Sequence, residues 1–159
     1  MPEQELDRVF KRVLQQAGKA TAVSATLGVI MAAPVDPEGI KSKYGDDGLK
    51  EILEQALELI DRNTRAVDLI ALFDESTIGV VSVDRNPKGP KALGEKIKKL
   101  LEEAQFVRMG LPIQVDFAVS ATWDKPEDPQ GVQNLLEEAR QLLNEALKGS
   151  SRFKAKVQK

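Results

Sequence analysis

With no histidine and no cysteine among its 159 residues, the chain lacks the commonest general base, the thiolate nucleophile and the nitrogen and sulfur metal ligands. Any chemistry must rest on carboxylates, lysines or a bound metal. Arg65 and Asp68 stand three positions apart where a helical pattern gives way to a β pattern. A guanidinium offers a planar fork of donors that a carboxylate can accept, so the plain reading is a surface ion pair at that turn. With eight arginines in the chain, roughly half an occurrence of this spacing is expected by chance, so position rather than pattern gives it weight. Asp74, Glu75, Ser76 and Thr77 form a short polar group between two apolar runs and read as turn residues. Asp46, Asp47 and Gly48 superficially suggest a calcium loop, but the required spacing of oxygen ligands is missing and a helix N-cap region is the better reading. Arg152, Lys154, Lys156 and Lys159 make residues 150–159 a basic tail, of the kind that is usually solvated and otherwise touches an acidic partner.

The elements that must position these groups are legible as periodic segments. Leu6, Val9, Phe10, Val13, Leu14 and Ala17 recur at helical spacing, and Gly18 is the expected stop of an N-terminal helix over residues 1–18. Ala25 to Ala32 is a continuous apolar run closed by Pro34 and Pro37, the pattern of a strand buried on both faces. After a turn-rich stretch from Pro34 to Gly48, Leu49, Ile52, Leu53, Ala56 and Ile60 predict a second helix to about Asn63. Val67 to Phe73 and Ile78 to Val83 predict a hairpin around the Asp74 turn. Leu93, Ile97, Leu100, Leu101 and Ala104 predict a helix that gives way near Gly110. Val115, Phe117, Val119 and Ala121 then alternate as in a half-buried strand. Asp128 and Pro129 cap a last helix with an apolar stripe from Val132 to Ala146, ended by Gly149. The tail is expected to add an edge strand or stay loose. Trp123 and Phe106 are assigned to packing at element ends.

This order predicts one α/β domain of the α+β type over residues 1–159, with a mixed, partly antiparallel sheet of about five strands surrounded by helices. The net charge of −2 removes any general attraction to nucleic acid or to anionic membranes. The charged start MPEQELDRVFKRV lacks the apolar core of a secretory signal, and the run from Ala20 to Val35 is short for a membrane span. A cytoplasmic location is the default expectation.

The same order is shared with the palm-like GGDEF (diguanylate cyclase) fold, and the central stretch RAVDLIALFDESTIGVVSV resembles the family's Arg-x-x-Asp motif followed, five residues on, by the GGDEF signature. Upstream, VDPEGIKSKYGDDGLKEIL is similar to the family's segment after the first strand, with Tyr44, Gly45 and Leu53 matching it. LGEKIKKLL, IQVDFAVSA and NLLEEARQLLNEALKGSSR resemble the later helix, strand and closing helix. The resemblance also marks departures. The signature positions hold Asp74, Glu75, Ser76, Thr77 and Ile78, putting bulky acids where phosphate must approach and a hydroxyl where the family has its metal-binding acid. The metal aspartates fall on Ala33 and on Val35, or on Asp36 if the alignment slips by one. The guanine-reading Asn and Asp correspond to Lys41 and Lys50, which donate but cannot accept. No catalytic residue, no metal and no cyclase activity are therefore expected. The resemblance further implies that Arg65 and Asp68, with Lys98 nearby, form an inhibitory-type site for cyclic di-GMP in a bacterial signalling protein. The other expectation is an interaction module that dimerises or docks a protein partner through the N-terminal helix stripe or a sheet face.

Overall fold

A computed structural model describes residues 2–65 and 68–156, with side chains from Arg8 onward. Helix α1 (Pro2–Ala22) leads into β1 (Thr26–Pro34), and α2 (Pro37–Arg62) into the hairpin β2 (Leu69–Asp74) and β3 (Thr77–Asp84). Then follow α3 (Gly89–Glu103), a small hairpin of β4 (Phe106–Arg108) and β5 (Leu111–Ile113), β6 (Phe117–Asp124), α4 (Pro129–Lys148) and β7 (Phe153–Ala155). Five strands form one sheet in the order β2-β3-β1-β6-β7, while β4 and β5 pair apart from it. Neighbours run antiparallel except β6 and β7, which are parallel. No described helix is long and apolar enough to cross a membrane.

Strand β1 is central because its residues are apolar on both sides. Leu27, Val29 and Met31 face a cluster built with Val13 of α1 and Leu135, Ala139 and Leu143 of α4. Ile30 and Ala32 face a second cluster with Ile52 and Ala56 of α2 and Ile97 and Leu101 of α3. The alternation of side chains along the strand thus distributes one apolar run between two cores. Full burial of each such side chain contributes about 1.5–3 kcal/mol.

Several boundaries differ from the sequence reading. Helix α1 runs past Gly18 to Ala22, because Ala20 continues the buried stripe and Gly18 lies on the exposed side, where it costs propensity without breaking hydrogen bonds. That stripe is covered by the chain's own sheet: Val13, Ala17 and Ala20 are buried and Val9, Phe10 and Leu14 pack beside them. The buried part of the stripe is thus closed to a partner, while Val9 and Phe10 stay half-buried toward its N-terminal end. The side chain of Leu6 lies outside the described residues.

The stretch expected to be turns before Gly48 is helical from Pro37, with Asp36 as N-cap accepting from the Gly39 N–H at 3.0 Å. The helix is interrupted at Gly45, whose φ of 77° and ψ of 176° re-aim the axis before Asp46. A left-handed φ of this kind favours glycine. Strand β2 begins at Leu69; Val67, expected to open it, lies outside the described residues.

Strand β6 is buried on both faces from Phe117 to Trp123 rather than half-buried, and Val115 precedes it. Its polar positions are satisfied by α4: the Ser120 hydroxyl donates to the Ala139 carbonyl at 2.9 Å, and the Thr122 hydroxyl to Glu138. The tail does add an edge strand, β7, alongside β6. Trp123 is buried, and Lys88, Lys91 and Ala92 of the α3 start line a cleft with it.

The β4–β5 hairpin was not expected. Phe106 at its root is buried, with its ring 5.5 Å from that of Phe117. The Gln55 side chain grips Val107 at both peptide groups, donating to its carbonyl at 2.7 Å and accepting from its N–H at 3.0 Å. Arg108 stands 2.9 Å from Glu51. The turn is made by Met109 and Gly110, both with positive φ, 53° and 80°.

Candidate functional site

Two places collect the residues singled out from the sequence. The first is the passage from the end of α2 into β2. Asn63 ends the helix, and the chain turns so that the Asp68 N–H donates to the Arg65 carbonyl at 3.0 Å. The Asp68 carboxylate closes the loop from the other side, accepting the Arg65 N–H at 3.1 Å and its guanidinium Nη2 at 3.2 Å. The same Nη2 also donates to the Val83 carbonyl of β3 at 2.9 Å.

Asp68 is thereby enclosed, with 2% of its side chain exposed, whereas Arg65 is 54% exposed. Both carboxylate oxygens are spent on Arg65, so Asp68 acts in this conformation as the group that orients the guanidinium. Among the described residues nothing takes the Arg65 Nη1 and Nε donors, and a guanidinium donor set suits phosphate or the acceptor edge of a base. Arg65 opens onto a cleft of about 580 Å3 that Arg62, Asn63, Ser82 and Lys96 also line. Lys96 donates to the Asn63 carbonyl at 2.8 Å and so rests over the end of α2.

Lys98, expected here, is not among the residues lining this cleft. Its ammonium is held by Glu102 one turn along α3, and its side chain is 13% exposed. Two residues along a helix amount to more than half a turn, so Lys96 and Lys98 point to different sides. Lys96 is the residue that sequence reasoning missed.

The second place is the tip of the β2–β3 hairpin. Asp74 accepts the Ser76 N–H at 2.9 Å, an Asx-type turn that shapes the tip. Its other oxygen meets Arg140 of α4 at 2.8 Å, and Arg140 also donates to the buried Thr77 hydroxyl at 3.0 Å. Glu75 reaches across to Lys41 of α2 at 3.4 Å, and Lys41 stands 3.7 Å from Glu38. The hydrogen bond to Glu75, with the charge of Glu38 beside it, raises the Lys41 pKa above the ordinary lysine value. The tip is thus fastened on two sides by ion pairs whose cationic members come from α2 and α4. Nothing in the sequence pattern near the hairpin announced Arg140.

These pairs leave no carboxylate cage. Thr77 is taken by Arg140, Asp74 and Glu75 each rest on a cation, Ala33 is buried at the end of β1, and Asp36 caps α2. Among the described residues no group of three Asp, Glu, His or Cys side chains converges as a divalent cation requires.

Partial burial works against ionisation of Asp74, but the Ser76 N–H and the Arg140 charge outweigh it and hold its pKa below the usual carboxylate range. A depressed folded-state pKa means that the interaction stabilises fully above the unfolded carboxylate pKa and is lost as pH falls through the lowered value. With Arg140 and Asp74 38% and 39% exposed, solvent screening limits the effect to a few tenths to about 1 kcal/mol. Arg140→Gln should therefore lower the urea midpoint at neutral pH and converge with the parent protein in acid. A gap that stays constant across the acidic range would show that Asp74 is not the titrating partner.

Comparison with known proteins agrees with this fold. Residues 5–152 match the family model described as "Diguanylate cyclase, GGDEF domain". Among solved structures, the GGDEF domain of YfiN (TpbB) from Pseudomonas aeruginosa superposes with a TM-score of 0.82 at 14% identity, covering 96% of each chain. The GGDEF domain of FimX from the same organism gives 0.79 at 14% identity, covering 96% of this chain and 92% of that one. The GGDEF domain of DgcB from Caulobacter crescentus, in complex with c-di-GMP, gives 0.75 at 14% identity over 94% of this chain and 86% of that one. No curated protein sequence matches the chain. The mixed five-stranded sheet with its four helices is the palm-like α+β fold of these domains. A match over nearly the whole length decides the family: the chain belongs to the GGDEF, or diguanylate cyclase, domain family.

Proposed function

We propose that this domain is catalytically inactive and serves as a receptor for cyclic di-GMP through Arg65, with Asp68 as its positioning partner and Lys96 and Arg62 as further cations of the same cleft. The observation that carries the reading is the Arg65–Asp68 pair itself. An enclosed carboxylate holds a half-exposed guanidinium at the mouth of a cleft large enough for part of a dinucleotide. Support for inactivity comes from the hairpin tip, where acidic side chains stand in place of the family's two glycines and the hydroxyl of Thr77 in place of its second acid. That DgcB binds c-di-GMP on the same fold makes the dinucleotide the natural first ligand to try. Binding would then alter the domain's affinity for a protein partner in the cytoplasm.

Calorimetric titration with cyclic di-GMP, and separately with GTP and magnesium, tests this directly. Binding of the dinucleotide in the micromolar range, weakened by Arg65→Ala at least about tenfold, is the expected result, since charge-assisted hydrogen bonds contribute about 1.5–3 kcal/mol. GTP with magnesium should give neither heat nor turnover. Absence of heat with both ligands would retire the receptor reading in favour of an interaction module. That second reading is favoured by one observation of its own, an exposed apolar hairpin tip.

A further inference from the structure

Exposed large apolar side chains concentrate on one short hairpin. Val107, Met109 and Leu111 are 42%, 89% and 69% exposed, and elsewhere in the described chain only Val23 and Leu72 share that condition. The tip is not loose. Gln55 fastens Val107 at both peptide groups, Glu51 meets Arg108, and Phe106 anchors the root in the core. Met109 is held at a φ of 53°, a left-handed conformation that costs an L-residue about 1–2 kcal/mol and that Asn or Gly adopts more readily in such a turn. An apolar residue held rigidly, under strain and almost wholly in water is the signature of an anchor for another surface.

On the opposite side of the sheet lies a surface of matching chemistry. A cleft of about 420 Å3 between α1, α4 and the sheet is lined by Val9, Phe10, Met31, Phe73 and Leu136, with Gln133, Glu137 and Arg140 of α4 as its polar part. That volume falls within the usual range for seating a small apolar body, and an unbranched Met adapts well to irregular apolar walls. Charge agrees with shape. Next to the cleft, α1 exposes Arg8, Lys11 and Arg12, and of the two charged residues of α4 that line it, Glu137 and Arg140, the second is already paired with Asp74. From Asp46 to Arg62, α2, to which the hairpin is fastened, exposes six acids against Lys50 and Arg62.

We propose that the β4–β5 tip of one copy of this chain inserts into the α1–α4 cleft of a second copy, with Met109 and Leu111 as the anchors. Because tip and cleft lie on opposite sides of one molecule, the contact is heterologous. Each added copy leaves one tip and one cleft unfilled, so assembly continues until a ring closes or a filament grows. This contact does not depend on the dinucleotide site and stands or falls without it.

The test is sedimentation of the purified chain from micromolar to millimolar concentration, at low and high salt. Growth beyond a dimer, weakened by salt, is expected. Met109→Asp at the tip should weaken association roughly thirtyfold or more, as loss of a central anchor does. So should a cleft variant, Leu136→Asp, or Gln133→Trp, which fills the mouth without removing a buried group. Circular dichroism of each variant excludes unfolding as the cause. The decisive arm mixes a tip variant with a cleft variant: a one-to-one dimer that stops growing supports the contact, since one intact tip and one intact cleft remain. A parent chain monomeric throughout would overturn the proposal. So would a parent dimer that the tip and cleft variants leave intact, or a mixture that fails to associate.

Discussion

Phe106→Ala is expected to lower the unfolding free energy by about 3–5 kcal/mol, the range for truncating a fully buried aromatic. The ring is 2% exposed and stacks on Phe117, so its removal leaves a void between α2, α3 and the first residues of β6 that rigid neighbours cannot collapse to fill. A domain of this size has about 5–15 kcal/mol in total, so the variant should be near the edge of stability. Urea unfolding followed by circular dichroism reads the midpoint, and amide exchange at Val107 reads the hairpin separately. The Val107 N–H, bonded to Gln55, should lose protection before the main sheet does. A loss below about 1 kcal/mol would mean that the hairpin root is not part of the core.

The second large effect is expected at Gly94. An added Cβ there would stand 2.8 Å from the Ala121 Cβ and 3.2 Å from the Phe153 ring. Helix α3 therefore rests directly on β6 at this point, and the Ala121 Cβ, one bond from the backbone, cannot swing aside. Gly94→Val should cost about 2–3 kcal/mol by forcing the helix off the sheet, more than the few tenths gained in helix propensity. Thermal unfolding compares the two effects. An unchanged midpoint would show that α3 slides over β6 without cost.

The segments that were readable in the sequence share a cause: their pattern is local and repeats. The stripe of α4 recurs every three or four residues between two clear caps, and the β2–β3 hairpin has a polar tip between two apolar runs. The β4–β5 hairpin escaped because its strands are three residues each, Pro112 interrupts one of them, and Met rather than Asn occupies its left-handed turn. The first turns of α2 were hidden behind Gly45, since a pattern split by a re-aimed axis has no single period. Strand β6 read as half-buried because Gln114, Asp116 and Ser120 alternate with apolar residues, yet Gln114 and Asp116 precede the strand, and within it the polar residues are Ser120 and Thr122. Helix α4 supplies acceptors for both, so polarity did not mean exposure. In the site, Arg65 and Asp68 were legible because they are neighbours in sequence. Arg140 was not, because its partner Thr77 is 63 residues away, and such a pairing exists only once the sheet and α4 have come together.

The position of β1 bears on how the chain is made. It is the first of this domain's five sheet strands to be synthesised and becomes the middle of the sheet, with partners β3 and β6 that arrive roughly fifty and ninety residues later. Until Asp124 has emerged, one edge of an almost wholly apolar strand has no neighbour, and at about 5–20 residues per second that wait lasts several seconds. Long-range pairings of this kind close slowly. The vulnerable interval in the life of this protein therefore falls during synthesis, when Leu27 to Ala33 offer a sticky edge to any nascent neighbour.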